Sequence, residues 1–454
     1  MITAAISPLE GRYAREVAEL VPLFSEQGLM RYRLRVEVEY LLALAREPKI
    51  REVRSLSSAA AAKLRRMYQA FSAQDARRVS QIEREVTDHD VKALEYFVQE
   101  KLKRAGLARL VPFYHFALTS EDVNNIAYTL MLRDGLGVYV HEVQKVIQDL
   151  SALAKRFARL PLLAMTHGQP ATPTTVGKEL AVFVWRLKQQ LATLTPICFQ
   201  AKFSGATGNW SASLAAYPNV NWPRFAARLV ESFGLELAPL TTQIEPHDTA
   251  AQAYQAVARL NTIVKDLDVD MWLYISRGVF GLRRKTGEVG SSTMPHKVNP
   301  LKFEKSEGNI GLANSLLAHL ADKLPTSRLQ RDLSDSTVIR NQGVALGYSL
   351  VALKAARAGL SRLEVAREVC RAELESHWEV LGEPVQTVLR KHGVEGAYEQ
   401  LKALTRGQRI TRAALHEFIR GLKIPAVDKQ RLLRLTPQTY VGLAPELIRI
   451  AIRA

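Results

Sequence analysis

The chain has 454 residues, 47% hydrophobic and 24% charged, so it has enough apolar surface for a large core and is neither collagen-like nor intrinsically disordered. Its two cysteines, Cys198 and Cys370, lie too far apart for a CxxC metal knuckle and do not make a disulfide framework, which suits a reducing compartment. A formal net charge of +17 favours polyanions or strongly anionic small molecules as partners and does not choose between them.

The opening MITAAISPLEGRYAREV lacks a basic stretch followed by an apolar run. No stretch approaches the roughly 18 apolar residues of a membrane span. A soluble, cytoplasmic protein is the expectation. Long runs rich in Ala, Leu, Arg, Glu, Lys and Gln, without an Asn-Gly or Asp-Gly hairpin signal between them, predict an all-α fold.

Residues 1–110 read as shorter helices broken at Pro22, Pro48 and a Thr87-Asp88 cap. Ser7–Tyr13 is a turn-forming stretch that carries Arg12 and Tyr13. At Thr87-Asp88-His89-Asp90, Thr87 or Asp88 is expected to cap the next helix, with His89 in its first turn. A neutral histidine there can still donate to an anion.

Residues 111–365 read as a long-helix bundle. Thr119-Ser120-Glu121-Asp122-Val123-Asn124-Asn125 resembles a capping box with more hydrogen-bonding side chains than a cap needs, a hint of a ligand. A helix is expected from His141 to Leu160. Then Thr166–Pro173 reads as an irregular linker holding His167, a natural proton shuttle, with Thr172 as cap and Pro173 as first residue of a helix reaching Leu194. Between Pro246 and Gly278, Tyr254, Val257, Leu260, Val264, Leu267, Met271 and Tyr274 recur at steps of three and four, one buried stripe of a rod about 45 Å long.

Gly287–Pro300 is the most informative segment. Its glycines suit a mobile lid, and Asn299-Pro300 looks like the start of a helix reaching Leu324. Ser291, Ser292, Lys297 and Asn299 would then stand beside a helix N-terminus, where a carboxylate or phosphate binds well. Arg328–Asn341 packs Arg331, Ser336 and Arg340 among acids and hydroxyls, either an anion site or a salt-bridged helix face. From 366 to 454 shorter helices return, punctuated by Gly382, Pro384, Gly407, Pro425 and Pro437.

In this order the segments resemble the fumarase/aspartase superfamily, whose GSSxMPxKxNP loop is matched from Gly290 to Pro300 without a gap. Within it, SPLEGRY, DHDVKA, TSEDVNN, THGQPATP, TTQIEPHD and LQRDLSDSTVIRN are similar to bacterial adenylosuccinate lyases. The pattern of helices and breaks divides the chain into three helical domains, 1–110, 111–365 (signature loop 282–300) and 366–454, and the resemblance implies an all-α fold whose central helices form a shared bundle. It also implies a homotetramer with active sites shared between subunits, and no metal or organic cofactor. The implied reactions release fumarate from adenylosuccinate, giving AMP, and from the succinyl-carboxamide ribotide of purine synthesis (SAICAR), giving AICAR.

By carry-over, His167 is the general acid, Ser291 the general base and Glu304 the carboxylate that orients the acid histidine. Ser292, Lys297, Asn299 and Gln243 hold the succinyl moiety. Arg12, Tyr13, Arg331, Ser336 and Arg340 take phosphate and ribose, and His89, Asp90, Thr119 and Ser120 line the pocket. Two other readings stay open: a helical protein binding nucleic acid or another polyanion, disfavoured by basic residues spread along the chain, and a superfamily member acting on argininosuccinate, aspartate or malate.

Overall fold

In a computed structural model the structure describes residues 4–53, 56–283, 294, 297–396, 399, 402 and 410–453. The described chain is mostly helical, with three small two-stranded pairings. The principal helices are α1 (Glu26–Arg46), α2 (Asp90–Arg104), α3 (Ser120–Arg156), α4 (Val176–Leu194), α5 (Asp248–Ser276), α6 (Leu301–Lys323), α7 (Ser334–Ile339) and α8 (Gln342–Leu360). Two compact units emerge, each built from three chain segments: 1–142, 191–262 and 308–352 in the first, and 143–190, 263–307 and 353–454 in the second.

In the first unit, α3, α5, α6 and α8 meet around one polar pin. Tyr139 Oη donates to Asn261 Oδ1 at 2.9 Å, and Asn261 Nδ2 donates to Ser349 Oγ at 2.9 Å and Asn314 Oδ1 at 3.1 Å. Asn261 is fully buried, so these bonds satisfy groups that would otherwise carry a desolvation cost of about 1–3 kcal/mol each. The Phe24 side chain sits where a Cβ on either Gly135 or Gly343 would stand, so both helices need glycine at that contact. The stripe expected on α5 is present: Tyr254, Val257, Leu260, Val264, Leu267 and Met271 are buried, while Tyr274 is half-buried. The stop at Gly278 also holds, at φ 74°, with the Val279 N–H bonded back to the Tyr274 carbonyl.

The second unit departs from the expected loop at 166–173. Pro161–Thr166 (β1) and Gln169–Thr175 (β2) form an antiparallel hairpin whose register pairs Thr166 with Gln169. Its two central residues, His167 and Gly168, have φ of 54° and 72°, the double left-handed turn that matches strand twist. Pro173 therefore lies in a strand, and α4 begins at Val176, where Thr175 Oγ1 accepts the Lys178 N–H. The stretch from His141 to Leu160 is likewise no separate helix. It is the end of α3, which runs through Gly135 and Gly137 and stops at Arg156.

Beyond α8, Leu374, Trp378, Leu381, Val385, Leu389, Leu415, Ile419 and Leu432 form a second apolar core that also takes in Leu163 of the hairpin. Within this unit the Arg277 guanidinium lies 2.9 Å from Glu373 Oε2.

Candidate active site

The first unit holds ten of the residues singled out from sequence. At its N-terminal turn, the Tyr13 N–H donates to the Pro8 carbonyl at 2.8 Å, and Tyr13 packs on the small core of Leu9, Val17 and Val351. Arg12 is exposed beside it.

His89 does not sit inside the helix that follows it. It is the N-cap of α2: its Nδ1 accepts the Lys92 N–H at 3.3 Å, and Asp88 before it is left-handed at φ 46°. Because Nδ1 accepts, a neutral ring carries its proton on the exposed Nε2. Asp90, the first helical residue, meets two arginines, Arg33 Nη2 at 2.8 Å and Arg340 Nη2 at 3.0 Å. Burial works against ionisation of Asp90, but the charges of Arg33 and Arg340 outweigh it and hold the carboxyl below its usual range. Arg33 also donates from Nε to Asn124 Oδ1 at 2.8 Å, and Arg340 reaches Glu26 Oε1 at 3.2 Å.

Thr119 and Ser120 open α3. The Asp122 carboxylate accepts the Thr119 N–H at 3.0 Å, the N3 half of the expected capping box. Its other oxygen accepts Lys202 Nζ at 2.7 Å, the Ser204 N–H at 2.9 Å and the Gly205 N–H at 3.1 Å. Asp122 and Lys202 are both fully buried, so this pair fastens the Thr119–Ser120 turn to the 202–206 segment. Gln243 continues the same wall, donating from Nε2 to the Ala206 carbonyl at 2.8 Å and accepting from Arg331 Nη1 at 3.3 Å.

Arg331 is held by carboxylates as well. Its Nη2 lies 3.2 Å from Glu121 Oε2 and 3.8 Å from Asp335 Oδ1. Ser336, next along α7, donates its N–H to Asp335 Oδ1 at 2.6 Å. His247 joins this group from the start of α5, with a left-handed φ of 63° and its N–H bonded to Glu245 Oε2 at 2.8 Å. Burial raises Glu121 to about 8, against the pull of Arg331, and lowers His247 to about 4, with Arg331 adding to the effect. Burial likewise raises Glu245 to about 7.

Ligand atoms of Glu121, His247 and Asp335 lie within 4.8 Å of one another, a donor set that invites comparison with a metal centre. Here the positive charge is already supplied by Arg331, whose guanidinium contacts both carboxylates. Glu121 and His247 lie within motifs that assign neither a role, and Arg33 and Lys202 belong to no motif. Their pattern signal was weak, since each looks like an ordinary helix or turn residue until its partners, remote in sequence, are in place.

The second unit carries the rest. His167 stands exposed at the tip of the β1–β2 hairpin. Lys297 is exposed and Asn299 half-buried just before α6, whose first turn bonds back to the Pro300 carbonyl, so the helix starts one residue later than expected. Glu304, in that first turn, accepts Trp272 Nε1 at 3.2 Å. Ser291 and Ser292 lie outside the described residues, as does most of the 282–300 loop. A cavity of about 490 Å³ in the first unit, lined by Arg35, Arg46, Arg65, Arg228, Phe225 and Phe233, contains none of the residues singled out.

Comparison with known proteins adds to this geometry. The sequence family described as "Lyase" matches residues 11–312, and that described as "Adenylosuccinate lyase C-terminal" matches residues 327–441. Adenylosuccinate lyase from Haemophilus influenzae is 50% identical over 98% of both chains, and that from Escherichia coli K12 is 47% identical over the same share. The chain belongs to the adenylosuccinate lyase family. Membership makes it a lyase of the fumarase/aspartase superfamily. A fumarate lyase from Mesorhizobium sp. BNC1 superposes with a TM-score of 0.76 over 96% of this chain and 98% of that one, at 20% identity. A 3-carboxy-cis,cis-muconate lactonizing enzyme from Pseudomonas putida gives 0.74 at 23% identity over 96% of each chain. Both share the fold. Among the described residues no helix is long and apolar enough to cross a membrane.

Proposed function

We propose that the protein eliminates fumarate from adenylosuccinate, leaving AMP, and from SAICAR, leaving AICAR, in purine nucleotide synthesis. The observation that carries this reading is 50% identity to a curated adenylosuccinate lyase across 98% of both chains. It is supported by a site rich in the groups such substrates need, since they present one phosphate and two carboxylates.

In this reading Ser291 removes the proton from the carbon beside a succinyl carboxylate, and the electron pair left on that carbon becomes the new double bond as the carbon–nitrogen bond breaks. His167 gives a proton to the departing nitrogen. Lys297, Asn299, Gln243 and Ser292 hold the succinyl group whose charge grows in the transition state. Glu304 orients His167. Arg12, Tyr13, Arg331, Ser336 and Arg340 bind phosphate and ribose, while His89, Asp90, Thr119 and Ser120 line the pocket. The working form is a cytoplasmic homotetramer whose active sites draw residues from more than one subunit, and no cofactor takes part.

The test is direct. Purified protein added to adenylosuccinate should produce the ultraviolet change that accompanies fumarate and AMP formation, with argininosuccinate inert in a parallel cuvette. Turnover of argininosuccinate alone would transfer the protein to another branch of the superfamily.

A further inference from the structure

We propose that Glu121, Asp335 and His247 are positioning residues: they form a buried cradle that fixes the Arg331 guanidinium and reserves it for an anionic group of the substrate. The inference rests on the lyase reading above for the identity of that substrate.

The geometry carries it first. Among the described residues Arg331 is gripped through its two terminal nitrogens, Nη2 to Glu121 at 3.2 Å and to Asp335 at 3.8 Å, and Nη1 to Gln243 at 3.3 Å. Among the described residues its buried Nε has no hydrogen-bond partner, so the fork keeps an unused donor there. The gripping groups are themselves anchored. Glu121 is in the first turn of α3, and Asp335 in the first turn of α7 bonded to the Ser336 N–H. Meanwhile Glu245 ties down His247, whose buried Nε2 has no partner among the described residues.

Electrostatics then explains why such a cradle leaves Arg331 available. Two ionised carboxylates around one guanidinium would leave a net negative charge in a buried place, hostile to an arriving phosphate or carboxylate. Burial keeps Glu121 protonated below about pH 8, and His247 stays neutral above about pH 4. Asp335 then balances Arg331 alone. Glu121 is faced by Arg331, Asp335, Lys202 and its neighbour Asp122, and Lys202 is already engaged by Asp122. Once Glu121 ionises it competes for Arg331 and repels the substrate anion. By reciprocity, anion binding raises the affinity of Glu121 for its proton.

The experiment follows fumarate release from adenylosuccinate by the full-length protein across the neutral and alkaline range. With Glu121 titrating near 8, KM should rise roughly eightfold between about pH 7.5 and about pH 9 while kcat holds, because the anion-binding step alone is affected. Glu121→Gln, which keeps the neutral shape and cannot ionise, should abolish that rise. A wild-type KM that stays flat, a variant that keeps the same alkaline rise, or a loss confined to kcat would each overturn the proposal. Should Glu121→Gln fail to fold, calorimetric titration of wild type with AMP over the same range serves instead: affinity should fall by a similar factor, and pH-independent affinity overturns the cradle. Absent fumarate release with AMP binding that still weakens above about pH 8 would sink the lyase reading and leave the cradle standing.

Discussion

Arg340 Nη2 lies 3.0 Å from Asp90 Oδ2 across 250 residues of sequence, and Arg33 holds the same carboxylate oxygen at 2.8 Å from the opposite partner helix, α1. One aspartate thus spaces two guanidiniums at the start of α2. Replacing Arg340 by Lys keeps the charge and loses the planar fork, so KM for adenylosuccinate should rise about tenfold with kcat within about a factor of three. Steady-state kinetics would show it, and an unchanged KM would remove Arg340 from phosphate binding.

His167 at the hairpin tip and Ser291 in the signature loop are predicted to divide the proton transfers. His167→Ala should lower kcat by about 10²–10⁴-fold, the range for losing a general acid. Ser291→Ala should abolish turnover and leave adenylosuccinate binding measurable by calorimetry. Near-normal turnover of either variant takes away the role assigned to that residue.

The Asp122–Lys202 pair is completely enclosed, and Asp122 also accepts three backbone N–H groups. Lys202→Met leaves that carboxylate buried without its cation. Removing one member of a buried pair costs about 3–5 kcal/mol, so the denaturant midpoint should fall sharply. A midpoint equal to wild type would show that the backbone donors alone suffice.

Acid stability offers a check on His247. Its folded form binds a proton only near 4, whereas an unfolded histidine binds one near 6.5. The unfolded chain therefore takes up the proton first, and the contribution of His247 to stability is complete above about pH 6.5 and is lost as pH falls toward about 4. Asn tolerates the left-handed backbone of this position, so His247→Asn should be the less stable protein at neutral pH, with the gap closing by up to about 3 kcal/mol as the solution is acidified. Urea titrations at about pH 7 and about pH 5 measure it; a constant gap would show that His247 is not held neutral.

The β1–β2 hairpin shows where reading the chain residue by residue reached its limit. A histidine followed by glycine, with two prolines nearby, is ambiguous between an irregular linker and a tight turn. Strand pairing of Pro161–Thr166 with Gln169–Thr175 decided it, and that pairing depends on contacts outside any short window. The continuous α3 is a second case: a helix expected from His141 is the end of one that begins at Ser120 and runs unbroken through Gly135, whose missing side chain leaves room for the Phe24 ring. His89 is a third, because a histidine cap carries less propensity than the Thr87 or Asp88 expected in that role.

The sequence by itself determined the helical class, the apolar stripe and glycine stop of α5, and the family, because local periodicity and ungapped motifs survive in one dimension. It also marked which segments carry the polar residues of the site. Only the tertiary structure decided the partners: Arg33 and Arg340 on Asp90, Lys202 on Asp122, and Glu121, Asp335 and His247 around Arg331. Those contacts join residues up to 250 apart, and their chemistry comes from burial, which shifts the protonation of groups whose identities alone give no sign of it.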